Sequence, residues 1–242
     1  MTFIGFLDPG ITPLAIVLAL AGGVWGLAAD RIAARWPEHD EGEGFFAGRS
    51  PGWRTVVVAG FGAIGLGLLP SVFLDRPAPA TNSVALDAAQ PLAPFVLAIF
   101  VAYVVVLVLL LATDLDQRLM PDILTLPMIP LALLFALSGQ NPLVGDQIVP
   151  AIAAAVIIPA VLYLPSLLFG PGAFGQGDVK LLVTVGLVSG GYRAVAGVFA
   201  GLIVAGVVIV ILLITRRVTL KTYIPFGPFL ILGALWAILL RT

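Results

Sequence analysis

Two acidic residues stand where carboxylates can do chemistry. Asp114 follows an apolar run at residues 92–112, and Asp178 lies in the segment FGQGDVK at residues 174–180. An ionisable group at the edge of the hydrocarbon is costly and usually faces a polar cavity, which makes it a functional candidate. Two carboxyl groups held together share a proton, because desolvation and repulsion oppose double ionisation. Such a pair can activate water with one member and protonate a carbonyl with the other.

The residues around the second acid suit this chemistry. Gly175 and Gly177 precede Asp178, and glycine permits positive φ and close backbone approach, so this loop can deliver the carboxylate into a partly buried position. Hydrolysis by paired acids needs neither metal nor thiol. The chain has no cysteine and one histidine, His39, which excludes disulfides, thiolate nucleophiles and cysteine-ligated zinc. His39 is interpreted as a solvated loop residue rather than a metal ligand.

Purely structural roles remain open for the first acid. Arg118 is four residues beyond Asp114, where an ion pair along a helix is geometrically natural. Asp116 is two residues away, hence roughly on the opposite helix face, and is expected to be solvated or paired with a loop cation. Spacing alone does not choose between catalysis and an ion pair, because structural ion pairs also perturb acids.

The acids that precede helical runs have structural alternatives too. Asp122 follows Pro121 and is most simply the N-cap of the next helix. Asp178 can likewise cap the helix that follows it, with Lys180 directed towards lipid headgroups. These alternatives also stay open on spacing alone.

The composition identifies the elements that must position these residues. The chain is 60% apolar and 10% charged, whereas a soluble domain carries roughly 25% charged residues, so lipid must be its main solvent. Each crossing of the bilayer needs a helix of roughly 20 apolar residues. The predicted fold is an all-α, polytopic integral membrane helix bundle. About eight transmembrane helices are predicted, at residues 11–29, 56–73, 92–112, 123–137, 149–169, 179–190, 194–214 and 226–240.

Lysine and arginine indicate the orientation, because they concentrate in cytoplasmic loops. Placing the loop after the first span inside puts nine basic residues on the cytoplasmic side and three outside. The nine are Arg31, Arg35, Arg49, Arg54, Arg118, Lys180, Arg216, Arg217 and Lys221, and the three are Arg76, Arg193 and Arg241. Both termini are then outside, and Asp114 and Asp178 share the cytoplasmic side. The N-terminus lacks the basic residues that begin a cleavable signal peptide, so the first helix is expected to remain in the mature protein.

The predicted organisation has two parts. Residues 1–91 form an N-terminal two-helix region with a cytoplasmic loop at 30–54, and residues 92–242 form the core that holds both acids. Residues 75–91 read as a Pro/Ala linker. Small-residue pairs such as Gly22/Gly26 and Gly197/Gly201 indicate close helix packing.

Three motifs in order resemble type IV prepilin peptidases, the G-x-G-D family of membrane aspartyl proteases. The segment TDLDQRLMPDILTLP at residues 113–127 is similar to the first aspartate motif of the family. The segment GQGDVKL at 175–181 matches G-x-G-D, and TYIPFGPF at 222–229 resembles the P-F-G-P segment before the last helix. Residues 92–242 carry the resemblance well, and residues 1–91 carry it poorly.

The resemblance implies an aspartic endopeptidase of the bacterial inner membrane. At the cytoplasmic face of the membrane, it would remove the basic leader from prepilins or pilin-like precursors. In these precursors the leader precedes a hydrophobic helix. Carried over by motif, the catalytic residues are Asp114 and Asp178. The supporting residues are Gly175, Gly177, Asp122, Arg118 and Lys180. No cofactor is implied for proteolysis and no nucleic acid as a partner.

Many members of this family also methylate the product with S-adenosylmethionine and bind zinc through paired cysteines in the first cytoplasmic loop. Residues 30–54 hold no cysteine, so no zinc is expected there, and no methyltransferase residue can be carried over. Other interpretations are an ion-coupled transporter that uses membrane-edge carboxylates, a membrane scaffold, and a G-x-G-D protease with other membrane substrates. The position of the acids at span ends on one side favours the peptidase.

Overall fold

The computed structural model describes residues 12–36, 52–73, 93–169, 175–217 and 226–239. Within these ranges the chain is entirely helical apart from turns and connections, which confirms the all-α prediction. The helices are α1 (Thr12–Ala33), α2 (Trp53–Phe73), α3 (Ala93–Gln117), α4 (Asp122–Leu137), α5 (Ile148–Phe169), α6 (Gln176–Ser189), α7 (Gly191–Ile214) and α8 (Gly227–Leu239).

Each predicted span corresponds to one of these helices, with ends that agree within five residues. Among the described residues, four helices are long and apolar enough to cross a membrane, namely α1, α2, α3 and α7. Large apolar side chains face outward on them, for example Val24 on α1 and Phe199 on α7. An outward apolar surface suits lipid as the solvent, and the chain is a multi-pass α-helical membrane protein. The number of eight crossings stays a prediction.

Contacts divide the chain into two compact units, with the boundary between Ala112 and Thr113 inside α3. In the first unit, α1 and α2 approach backbone to backbone: a Cβ on Gly22 would collide with the carbonyl group of Gly62. At one end of this pair, the hydroxyl of Thr55 donates to Oδ2 of the buried Asp30 at 2.7 Å. The functional division predicted between residues 91 and 92 stays a prediction.

The second unit, Thr113–Leu240, contains α4 to α8 and both candidate acids. Gly186 brings α6 against the backbone of α5, since a Cβ there would overlap Ala155. The far end of α6 is fixed by Asn141, whose side-chain amide donates to the carbonyl oxygen of Val188 at 2.9 Å. Close packing on α5 and a hydrogen bond at its end fix the direction of α6, and therefore the position of Asp178 at its start.

Candidate active site

Asp114 lies in the last turn of α3 and is only 6% exposed. Its Oδ2 atom is buried and accepts no hydrogen bond from the residues that the structure describes. The helix ends three residues later at Gln117, and the N–H of the next residue, Arg118, donates to the carbonyl oxygen of Asp114 at 3.0 Å. Arg118 has φ of 57°, a left-handed conformation that usually falls to glycine at the end of a helix. Its side chain is exposed and acts on the Asp114 carboxyl group electrostatically.

Asp178 is the third residue of α6, and its carboxyl group is partly buried. Its Oδ2 accepts a hydrogen bond from the N–H of Gly175 at 3.3 Å. Asp178 therefore does contribute to capping α6, although it is not the N-cap residue itself. Its side chain accepts a hydrogen bond from the N–H of the N-cap residue, Gly175, as the acidic residue of a capping box does. Burial raises the pKa of Asp178 to about 6, and the hydrogen bond from Gly175 opposes this rise.

The structure brings the two acids together within the second unit. The carboxyl groups of Asp114 and Asp178 are close enough to interact electrostatically. A third element reaches the same place, because a Cβ on Gly227, the first residue of α8, would collide with Oδ2 of Asp114. Three segments that are distant in sequence therefore meet around the first carboxyl group.

The two glycines of the second motif act by close approach rather than by positive φ. Gly175 has φ of −73°, and Gly177 lies inside α6, so the expected left-handed conformation is wrong for both. A Cβ on Gly177 would lie 2.6 Å from Cβ of Met120, in the connection between α3 and α4. Glycine is needed there because the backbone of α6 packs directly on that connection.

Asp122 and Lys180 connect the two motifs by an ion pair. Nζ of Lys180 lies 2.5 Å from Oδ1 of Asp122. The N-cap prediction for Asp122 is wrong, because Pro121 occupies that position and Asp122 is the first residue of α4. The placement of Lys180 towards lipid headgroups stays a prediction. A cation near the start of α6 opposes the helix dipole, and Asp122 offsets that cost.

Removal of this ion pair should have a small effect on stability. Asp122 is 63% exposed, and exposed pairs contribute about 0–1 kcal/mol. We expect Lys180→Met to lower the melting temperature of the detergent-solubilised chain slightly, with a difference that shrinks at 1 M salt. The exchanged double variant Asp122→Lys/Lys180→Asp should recover part of the loss. An equal loss at low and high salt would assign the effect to packing of the lysine stem.

Stability should depend on pH through Asp178. Its pKa is about 6 in the folded chain and about 3.9 in an unfolded one, so the folded state binds the proton more tightly. The stabilisation is complete below pH ~4 and is lost as pH rises through about 6. We expect the melting temperature of the wild type to fall between pH 4 and 7 relative to that of Asp178→Asn, which cannot titrate. A constant difference across this range would show that burial does not shift this group.

Two contacts in the site were not predicted from the sequence. Gly227 lies in the P-F-G-P motif, which marked it for attention without indicating that it packs on Asp114. Met120 carries no sequence signal, because an apolar residue ahead of Pro121 has no chemistry to suggest.

The described residues contain no group of three His, Cys, Asp or Glu side chains able to hold a metal ion. His39, most of the loop 30–54 and residues 222–225 lie outside the described residues.

These features define an α-helical membrane bundle with a pair of interacting carboxyl groups at helix ends. Residues 101–214, which include both acids, match the family model of the type IV leader peptidase family. This segment is therefore similar to that family, and the predicted resemblance to type IV prepilin peptidases is confirmed. No solved structure matches the chain.

Several curated relatives are about one third identical to this chain over the aligned segment. A prepilin leader peptidase/N-methyltransferase of Aeromonas salmonicida (strain A449) is 34% identical over 135 residues, which are 56% of this chain and 46% of the relative. The protein of the same name from Pseudomonas aeruginosa is 32% identical over 127 residues, 52% of this chain and 43% of the relative. A third, from Burkholderia pseudomallei (strain K96243), is 33% identical over 123 residues, 50% of this chain and 40% of the relative. The chain thus matches less than half the length of these relatives.

Proposed function

We propose that this chain is a membrane aspartic endopeptidase that removes the basic leader from pilin-like precursors, with Asp114 and Asp178 as its catalytic pair. The observation that carries the proposal is that the acids of two separate motifs lie in one compact unit, within electrostatic range of each other. The family match favours this function over an ion-coupled transporter, because the matched segment contains both acids.

The pair would hydrolyse a peptide bond by general acid and base catalysis. One carboxylate removes a proton from water, the oxygen attacks the scissile carbonyl carbon, and the other carboxyl group protonates the carbonyl oxygen. Collapse of the tetrahedral intermediate breaks the C–N bond, and a proton passes to the leaving amine. The pKa of about 6 at Asp178 supports this role, since that group gains and loses a proton near neutral pH.

The proposed location is the bacterial inner membrane, with the active site on the cytoplasmic side and both termini outside. Its support is the count of nine basic residues against three. The positive charge of a basic leader would keep that leader on the cytoplasmic side as well, because basic residues concentrate there. The leader then lies where the carboxylates are, and the hydrophobic helix of the precursor lies in lipid.

Proteolysis by this pair needs no cofactor. Relatives named prepilin leader peptidase/N-methyltransferase make S-adenosylmethionine a second candidate substrate, to which we assign no residue. Transfer of a labelled methyl group to the cleaved product would test this second activity separately.

The proposed function is tested with the whole chain in lipid nanodiscs. A pilin-like precursor, with a basic leader followed by one apolar helix, is incubated with the chain, and the new N-terminus is read by mass spectrometry. We expect one cut at the boundary between leader and helix. A matched precursor with its leader lysines and arginines changed to glutamine should be cut more slowly. Absence of any cut in the first precursor would contradict the proposal.

A further inference from the structure

One carboxyl oxygen of the site is enclosed. Oδ2 of Asp114 is buried without a hydrogen bond from the described residues. The position of a Cβ on Gly227 would overlap this oxygen and lie 2.6 Å from Cε of Met120. The carboxyl oxygen, the start of α8 and the methyl end of Met120 therefore surround one small space. A buried polar atom without a partner is costly, and this atom belongs to a group that must reach water.

The other end of the same methionine lies on the second motif. A Cβ on Gly177 would lie 2.6 Å from Cβ of Met120 and 3.3 Å from its Cγ. The side chain therefore runs from the backbone ahead of Asp178 to the space beside Asp114. A peptide carbonyl that contacts both carboxyl groups has to use this same region, because general acid and base must both be within hydrogen-bond reach of the reacting atoms.

Met120 is the member of this group that can move at low cost. Gly227 contributes backbone, and it is buried in the first turn of α8. Met120 lies in the short connection between α3 and α4, is partly buried, and has the flexible unbranched side chain that adapts to different surroundings. A rotation of this side chain opens the space without displacing a helix.

We propose, on the basis of the peptidase function above, that Met120 is a gating residue. Its side chain closes Oδ2 of Asp114 against water in the free protein and gives up this place to the main chain of the peptide substrate. Met120 lies in the first motif and packs on Gly177 of the second, so entry of substrate and exposure of the acid are one event.

The test measures access to Asp114 without any substrate. The purified full-length chain in detergent is treated with a water-soluble carbodiimide and glycinamide, and modification of each carboxyl group is followed by peptide mass spectrometry. The exposed Asp146 serves as the internal reference for reagent delivery. We expect Met120→Ala to raise the rate at Asp114 about tenfold or more relative to Asp146, because local opening no longer precedes the reaction.

Met128→Ala is the matched control, since Met128 is a buried methionine inside α4, and it should leave the rate at Asp114 unchanged. Met120→Leu keeps apolar volume but cannot extend as far as Cε, so it should give an intermediate rate even if the alanine variant folds poorly. Equal rates in the wild type and both Met120 variants would overturn the gate. Failure to cleave a precursor would instead overturn the peptidase function, while the labelling result would still decide the gate.

Discussion

Asp114→Asn and Asp178→Asn should each lower the rate of precursor cleavage by at least about 10³-fold, the scale seen when a member of a catalytic unit is removed. Asparagine keeps the shape of the side chain but cannot exchange a proton near neutral pH. The double variant should be no slower than the slower single one, because the two acids act as a unit. Rates are compared from the initial appearance of the new N-terminus at equal folded protein.

Asp146→Asn provides the control for this pair of substitutions. Asp146 is an exposed aspartate of the same unit, in the connection between α4 and α5, and its loss should change neither cleavage nor melting temperature. The Asp178→Asn protein is expected to be at least as stable as the wild type at neutral pH, because an ionised carboxylate no longer has to be buried. Cleavage at a wild-type rate by either active-site variant would remove that residue from the mechanism.

Gly227→Ala should cause the second largest loss of activity, about 10²-fold, the effect expected when a catalytic group is displaced by about 1 Å. The new methyl group would overlap the carboxyl group of Asp114 and the end of Met120. The methionine can turn away, but the aspartate is buried and cannot move without losing the position proposed for catalysis. Overpacking of this kind costs about 1–3 kcal/mol of stability. We therefore expect a large fall in the cleavage rate with only a modest fall in the melting temperature.

Gly206→Ala is the corresponding control on α7, where a Cβ would meet no atom within 4 Å. Alanine is favoured over glycine inside a helix by about 1 kcal/mol, so this variant should be as stable as the wild type or slightly more stable, with unchanged cleavage. Full activity in Gly227→Ala would show that Asp114 has room to shift, and that the start of α8 does not hold it.

The helices could be predicted from the sequence because the physical signal is strong. Lipid demands apolar helices whose backbone groups are all paired internally, and each of the eight predicted apolar stretches corresponds to a helix. The two acids stood out for the same reason, since charge at the edge of hydrocarbon is expensive. The position of each acid at a helix end, Asp114 on α3 and Asp178 on α6, agrees with those predictions.

The contacts inside the site were less predictable because they depend on how distant segments meet. A proline–aspartate pair before a helix has a strong local capping preference, yet Asp122 lies one position inside α4 and binds Lys180 58 residues away. The role of Gly177 could be guessed as close approach, but its partner, Met120, could not. Local propensity reflects interactions between residues within about one turn of each other, whereas these pairings join residues that are distant in sequence.

The length of α6 has a consequence for the surrounding lipid. Fourteen residues at a rise of 1.5 Å span about 21 Å, whereas the hydrocarbon layer is about 30 Å thick. If α6 crosses the bilayer, hydrophobic mismatch has to be relieved around it, by local thinning or by drawing the headgroup region inward. Asp178 stands at the start of this helix, so the same deformation that accommodates a short crossing would bring interfacial water down to the carboxylate.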